Sequence, residues 1–310
     1  STRKANPSFS LVQMQASLAV LGMLVGLLLP AVQSAREAAR RTGCLSNLKQ
    51  VGLAVAAYEV SFGTLPPGRV GCDDTGETQD IAVCPPGLAA DRKTAASGFV
   101  AILPQLEHEQ LYAQLSVEIG GLWNRNVDDL GWYADPQKCR AVKQSIAVLI
   151  CPSDQSHRLS DVYAPVYAAT GSYAFSQGSL GPLAAPHVVK YQNNGPFLYV
   201  IRRSTRQLTD GTSNTITVGE VALADTWESS NTWTYALAHA DCLRSTANPL
   251  NTQPGAGDTL ERQNGAFGSE HPGGSLFLCA DGHARFVGDE IDPSTYRGMS
   301  TIAQAELAPE

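Results

Sequence analysis

The sequence predicts an α+β protein in which a long N-terminal helix, a membrane span continued by an amphipathic stalk, packs on an antiparallel β-sheet domain with loop insertions. Three observations carry this expectation. No charged side chain occurs from Ala5 to Ala35. An apolar stripe at helical spacing continues beyond that stretch, and the C-terminal part alternates apolar and polar residues around Gly and Asp turns.

A bilayer core of about 30 Å needs about 20 helical residues, and Ser10 to Val32 supplies them, with Leu18 to Val32 almost wholly aliphatic. A cleaved signal peptide would need small residues one and three places before its cut. Ala35 with Gln33 behind it is a poor match, so the span, about residues 10–32, is expected to stay on the chain. Arg3 and Lys4 precede it and Arg36, Arg40 and Arg41 follow it, so positive charge does not orient it.

Past Pro30, the residues Ala31, Ala35, Ala38, Ala39, Leu45, Leu48, Val51, Val55 and Tyr58 form a stripe that suits a helix packed on one face. From Ser10 to about Val60 such a helix is about 75 Å long at about 1.5 Å per residue. Pro30 removes one hydrogen bond and is expected to bend it. The organisation that follows is a short polar segment 1–8, a helix 9–62 and a globular domain 63–310. Helices are expected over Phe99–Leu115, interrupted near Pro104, and over Pro136–Ile150. Strands are expected over Pro196–Ile201, Asn214–Val221 and Thr232–Ala236. The run SLFLCADGHARFV reads as a hairpin with Asp281-Gly282 in a two-residue type I′ turn.

Hydrophobic residues make up 43% and charged ones 16%, with net charge −7 and pI about 5.4. Nucleic acid is excluded as a partner, because phosphate binding needs clustered Lys and Arg. The seven cysteines include no CxxC pair, which disfavours a zinc ribbon or a thioredoxin-like site. Cys72 and Cys84 bracket a Gly- and Asp-rich loop and are expected to be bridged. Cys139 with Cys151 and Cys242 with Cys279 are further candidate pairs; the competing reading is buried reduced thiols. Disulfides would put the domain on the periplasmic or extracellular side of the inner (cytoplasmic) membrane, as a single-pass protein.

The sequence carries few patterns of catalytic chemistry. No G-x-S-x-G elbow occurs, and AFSQG around Ser176 lacks the first glycine. His271 could act as a base beside Asp281 and Ser269, but a histidine bonding the backbone of a loop accounts for it as well. Asp73, Asp74, Glu77 and Asp80 lie close together as candidate calcium ligands, although their spacing fits no EF-hand. No glycine-rich phosphate loop occurs, so no cofactor is expected. Trp123, Trp132, Trp227 and Trp233 could line a sugar or partner groove, although core roles are more frequent for tryptophan.

The segment SFSLVQMQASLAVLGMLVGLLLPAVQSAREAARR resembles the N-terminus of type IV prepilins and pseudopilins. Phe9, Leu11 and Val12 match the family pattern, and Pro30 lies 21 residues beyond Phe9. More narrowly, LLLPAVQSAREAARRTGCLSNLKQVGLA, ILPQLEHEQLY, IAVLICPSD, LTDGTSNTITVGE and HPGGSLFLCADGHARF resemble blocks of the large prepilin-like proteins of planctomycetes. Their C-terminal motif, a His, nine residues, then Asp-Gly, is matched by His271 and Asp281-Gly282. Some members of that family carry a solute-binding label. Placement of Cys44 and Cys151 in two of these blocks makes them another possible pair. The prepilin processing motif is degenerate here: Ser8 stands for the Gly before Phe9, and Gln13 for the Glu. The resemblance therefore implies a pilin-like anchor without cleavage before Phe9. Gly22 and Gly26 form a small-xxx-small spacing that permits close helix approach. The expected function is a non-enzymatic structural or scaffolding subunit. Its partners are membrane lipid and other membrane or envelope proteins, as a homo-oligomer or within a larger complex. An envelope module binding a solute or sugar is the alternative.

Overall fold

The structure is a computed structural model, and it describes residues 11–72, 82–85, 88, 90–123, 132–253 and 265–303. Helix α1 spans Leu11–Phe62, 52 residues running unbroken through Pro30, or about 78 Å at about 1.5 Å per residue. Its first half makes one helix long and apolar enough to cross a membrane. Leu18, Met23 and Leu27 there are 60%, 70% and 69% exposed. Such apolar surface on every side is what lipid or other apolar helices would cover.

The packed face of α1 starts later than the stripe predicts. Ala31, Ala35, Ala38 and Ala39 are exposed, whereas Cys44, Leu48, Val51, Ala54, Val55 and Tyr58 are buried. The larger apolar side chains begin where the helix meets the sheet, and the alanine turns lie before it. Gly52 allows a close approach of the helix to β8. A Cβ there would stand 3.0 Å from Leu278 Cδ1, tighter than ordinary packing tolerates.

Short elements follow: α2 (Gly98–Ala101), α3 (Glu109–Leu115), α4 (Pro136–Ala141) and, near the C-terminus, α5 (Pro293–Gly298). The predicted helix over Phe99–Leu115 breaks into α2 and α3 around Pro104, with Glu107 in the left-handed region at φ +64°. The Pro136–Ile150 helix shortens to α4 plus a 3-10 turn over Ala147–Leu149. The strands are β1 (Leu159–Ser160), β2 (Ala168–Ala169), β3 (Tyr173–Ser176), β4 (Ile216–Glu220), β5 (Ala236–Leu237), β6 (Ala240–Asp241), β7 (Leu243–Arg244), β8 (Gly274–Cys279) and β9 (Ala284–Gly288).

The main sheet has the order β7-β3-β4-β8-β9. It is antiparallel except at one edge, where β7 runs parallel to β3. Period-two alternation in β3 and β8 sends Tyr173, Phe175, Leu276 and Leu278 to the face that α1 covers, where Val218 joins them. A register shift between Ile216 and Val218 puts these two residues of β4 on opposite faces. Ala174, Ile216, Phe277, Cys279 and Val287 face the other way, against Phe267, Tyr296 and Met299. Both faces are thus covered, which is why every residue of β4 and β8 is buried.

Two expected strands do not form as such. Pro196–Ile201 and Thr232–Ala236 contribute isolated bridges, Arg69 with Tyr199 and Thr170 with Thr232, plus the start of β5. Phe197, Leu198 and Tyr199 are buried in succession, and Val200 stands at φ +61°, which ends any strand there. Their backbone groups pair with Ser176, Gly68, Arg69 and Lys190 instead of one neighbouring strand. A buried apolar run has no periodicity that separates these outcomes. The β8–β9 hairpin forms as predicted, but its turn differs. Gly282 N–H donates to Cys279 O and Cys279 N–H to His283 O. Only Gly282 has positive φ, at +88°, so the loop is three residues with a glycine bulge instead of type I′.

Candidate functional site

Four separate sequence blocks meet where the stalk joins the sheet. The stalk contributes Glu37, Cys44 and Asn47, the loop after Leu149 contributes Cys151, Ser153 and Asp154, β4 ends in Glu220, and the approach to β8 carries His271. Cys44 and Cys151 form a disulfide across 107 residues. Around it, Asn47 Nδ2 donates to Ile150 O at 2.7 Å, Cys151 N–H to Ser172 Oγ at 2.9 Å and Tyr173 Oη to Cys44 O at 3.3 Å.

His271 sits at the centre, its side chain fully buried. Its Nδ1 lies 2.5 Å from Glu37 Oε1, its Nε2 3.2 Å from Glu220 Oε1 and 3.6 Å from Cys151 Sγ. A local turn aims it: Ser269 Oγ accepts the His271 N–H at 3.1 Å and donates to Gly274 O at 2.7 Å. Gly274, at φ +155°, must lack a side chain, since a Cβ would meet Val287 O. Burial disfavours the imidazolium, but the Glu220 and Glu37 carboxylates outweigh it and hold the His271 pKa above its ordinary value. Burial likewise opposes the Glu37 carboxylate, yet His271 and Arg40 bring its pKa below the usual range. The result is a buried histidine whose charged form is favoured by two carboxylates from two elements of the fold.

His271 and Asp281 are not brought together. They stand at opposite ends of β8, whose six residues span about 20 Å at about 3.3 Å each. Asp281 instead bonds His283 at the exposed hairpin tip, Oδ1 to Nδ1 at 2.6 Å. Burial opposes its charge, but the His283 bonds hold its pKa low. The nine-residue spacing therefore measures a strand, with no acid–base dyad in it.

Cys72 and Cys84 are bridged, as expected. Cys151 takes Cys44, so the Cys139–Cys151 pair does not form, and Cys242–Cys279 does not either: Cys139, Cys242 and Cys279 carry free thiols. Cys242 and Cys279 belong to opposite cores, with Cys242 on the α1 side and Cys279 on the far face. Asp73, Asp74, Glu77 and Asp80 lie outside the described residues, as do Ser8, Phe9 and the side chains of Gln13 and Trp132. Gly22 and Gly26 lie on the exposed span with nothing within 4 Å of a built Cβ.

Among the described tryptophans, Trp233 is fully buried and Trp227 is 48% exposed. Trp123 stacks on Tyr235 at 5.0 Å and meets Tyr163 at 5.4 Å in a packed aromatic cluster. Beneath it lies a second polar network that sequence reading missed. Asp241 Oδ2 accepts from Tyr163 Oη at 2.5 Å, and Oδ1 accepts from Ser230 Oγ at 3.2 Å and from Thr232 N–H at 2.9 Å. Burial pushes the Asp241 carboxyl up to about 7, against the lowering influence of Tyr163, Thr232, Arg244 and Ser230. Tyr163 Oη also contacts Ser230 Oγ at 3.0 Å, so hydrogen bonds close a ring that a neutral carboxyl can share.

Glu37 and Glu220 were also not singled out from sequence. Their signals were present: the first acid after the apolar span, and a carboxylate ending an otherwise apolar strand. Comparison with curated proteins and with solved structures finds no match for this chain. A family model with the short name SBP_bac_10 matches residues 33–294. That stretch starts just past the apolar span and contains all four blocks of the junction. The chain belongs to the family described as "Protein of unknown function (DUF1559)".

Proposed function

We propose that this chain is a non-enzymatic, pilin-like structural subunit, held in the inner membrane by α1 and working by assembly with other membrane or envelope proteins. The observation that carries the reading is the junction. The domain is fastened to its own anchor helix by the Cys44–Cys151 disulfide and by the Glu37–His271–Glu220 cluster. Such rigidity suits a subunit whose domain must hold a set position over the bilayer. The two disulfides support a periplasmic or extracellular domain. Among the described residues of the junction, Glu37 and Glu220 pair with His271.

Gly22 and Gly26 are the face for helix approach. The test is a Gly22→Ile/Gly26→Ile chain cross-linked in native membranes and purified in mild detergent. Neither substitution meets an intramolecular neighbour, so folding and insertion are left intact. Loss of the cross-linked neighbours is expected; their full recovery would count against assembly through this face. The short name of the family points to solute binding, and a small molecule retained by the purified chain would favour that reading instead.

A further inference from the structure

We propose that the reduced form of the stalk junction is a tetrahedral site for a divalent cation of the zinc class, with Cys44 Sγ, Cys151 Sγ, His271 Nε2 and Glu220 Oε1 as ligands. The ligand atoms of these four buried residues lie within 4.8 Å of one another. Zinc binds sulfur at about 2.3 Å, imidazole nitrogen at about 2.0–2.1 Å and carboxylate oxygen at about 2.0–2.2 Å. At tetrahedral angles, sulfur and nitrogen then stand about 3.6 Å apart, and nitrogen and oxygen about 3.4 Å. Cys151 Sγ is 3.6 Å from Nε2, and Nε2 is 3.2 Å from Glu220 Oε1. The two bonded sulfurs would part to about 3.8 Å, and the remaining ligand pairs already lie within 4.8 Å.

Two further observations separate this site from a plain buried ion pair. Glu220 is 1% exposed, and its Oε1 has no aligned hydrogen-bond donor. Its other oxygen is fixed by Leu276 N–H at 2.7 Å and Ser275 Oγ at 3.2 Å. Oε1 lies 3.2 Å from Nε2 and within 4.8 Å of both sulfurs, so its contact to His271 is ionic and its lone pairs are not taken by an aligned donor. Meanwhile Glu37 takes the opposite nitrogen, Nδ1, at 2.5 Å. A carboxylate behind a histidine in this way fixes the tautomer and raises the basicity of the ligating nitrogen in metal sites.

The chemistry balances with a dithiol as reductant. One dithiol thiolate attacks the Cys44–Cys151 bond to give a mixed disulfide, and its second thiolate displaces the remaining cysteine. The dithiol leaves as a cyclic disulfide having given two electrons, and both cysteines are left as thiols. The cation then displaces the two thiol protons, and any proton on Nε2, into solvent. Oxidation and metal binding use the same sulfurs and exclude each other. Either state ties the stalk to the domain, so the cation would hold this junction in chains not yet oxidised. The inference stands independently of the assembly reading.

The full chain, reduced with a dithiol in detergent and freed of it by anaerobic gel filtration, is titrated with Co²⁺. One equivalent with thiolate-to-cobalt charge-transfer and tetrahedral ligand-field bands is expected, displaced by Zn²⁺ and absent from the oxidised chain. The bands should persist in Cys72→Ser/Cys84→Ser and vanish in Cys44→Ser/Cys151→Ser. In case that double variant does not fold, Glu37→Gln keeps all four ligands and should weaken Co²⁺ binding by about 10–100-fold while retaining the bands. No bands in the reduced native chain, bands lost with Cys72 and Cys84, or unchanged affinity in Glu37→Gln would each overturn the proposal.

Discussion

Replacing Cys44 and Cys151 together by alanine should release the stalk from the domain, at a cost larger than removal of the other disulfide. The Cys44–Cys151 bond closes 107 residues and the Cys72–Cys84 bond 12. Loop-closure entropy then contributes about 4.8 kcal/mol for the first and about 2.8 kcal/mol for the second at 25 °C. The larger figure approaches the whole stability of many domains, about 5–15 kcal/mol. Guanidinium unfolding of the full chain in mild detergent, followed by tryptophan fluorescence, measures both. Trp233 is a suitable reporter, being fully buried with Nε1 donating to Gln144 O at 2.9 Å. Hydrogen exchange should show residues 44–62 losing protection before β4 and β8. The reasoning fails if Cys44→Ala/Cys151→Ala costs no more than Cys72→Ala/Cys84→Ala, or if stalk protection stays at the native level.

His271→Ala should destabilise by about 3–5 kcal/mol, because it strands the buried Glu220 carboxylate without its cation. Adding Glu220→Leu should recover part of that loss, and a double variant no better than the single one would contradict the electrostatic account. Asp241 makes stability depend on pH. Its folded pKa, about 7, lies above its ordinary value of 3.8. Its contribution is therefore complete below about pH 4 and is lost as pH rises through about 7. Thermal melts from pH 5 to 8 should show a falling Tm for the native chain and a flatter profile for Asp241→Asn; parallel profiles would rule this out.

Much of the fold was legible because it rests on periodicity. The span, the lower stalk and the β8–β9 hairpin each repeat a pattern over several residues, and each formed. The Phe197–Tyr199 run and the Thr232–Ala236 segment misled because full burial erases alternation, and Val200 turns the chain through a conformation its residue type does not announce. The junction was less visible for a different reason. Glu37, Cys151, Glu220 and His271 are far apart in sequence, and each alone has an ordinary explanation: a helix-face acid, a core thiol, a strand end and a loop histidine. Only the sheet register, which sets Glu220 beside Leu276, and the Gly273-Gly274 turn bring them within bonding distance. The same register puts Asp281 at the far end of β8 and removes it from any partnership with His271.

The central claim is that the chain works by assembly, its domain fixed on its own membrane helix. Native mass spectrometry of the chain released directly from membranes in mild detergent tests it most directly. A complex of defined stoichiometry, reduced to monomer by Gly22→Ile/Gly26→Ile, is the predicted result. A monomer carrying one small molecule, its mass unchanged by those substitutions, would contradict it.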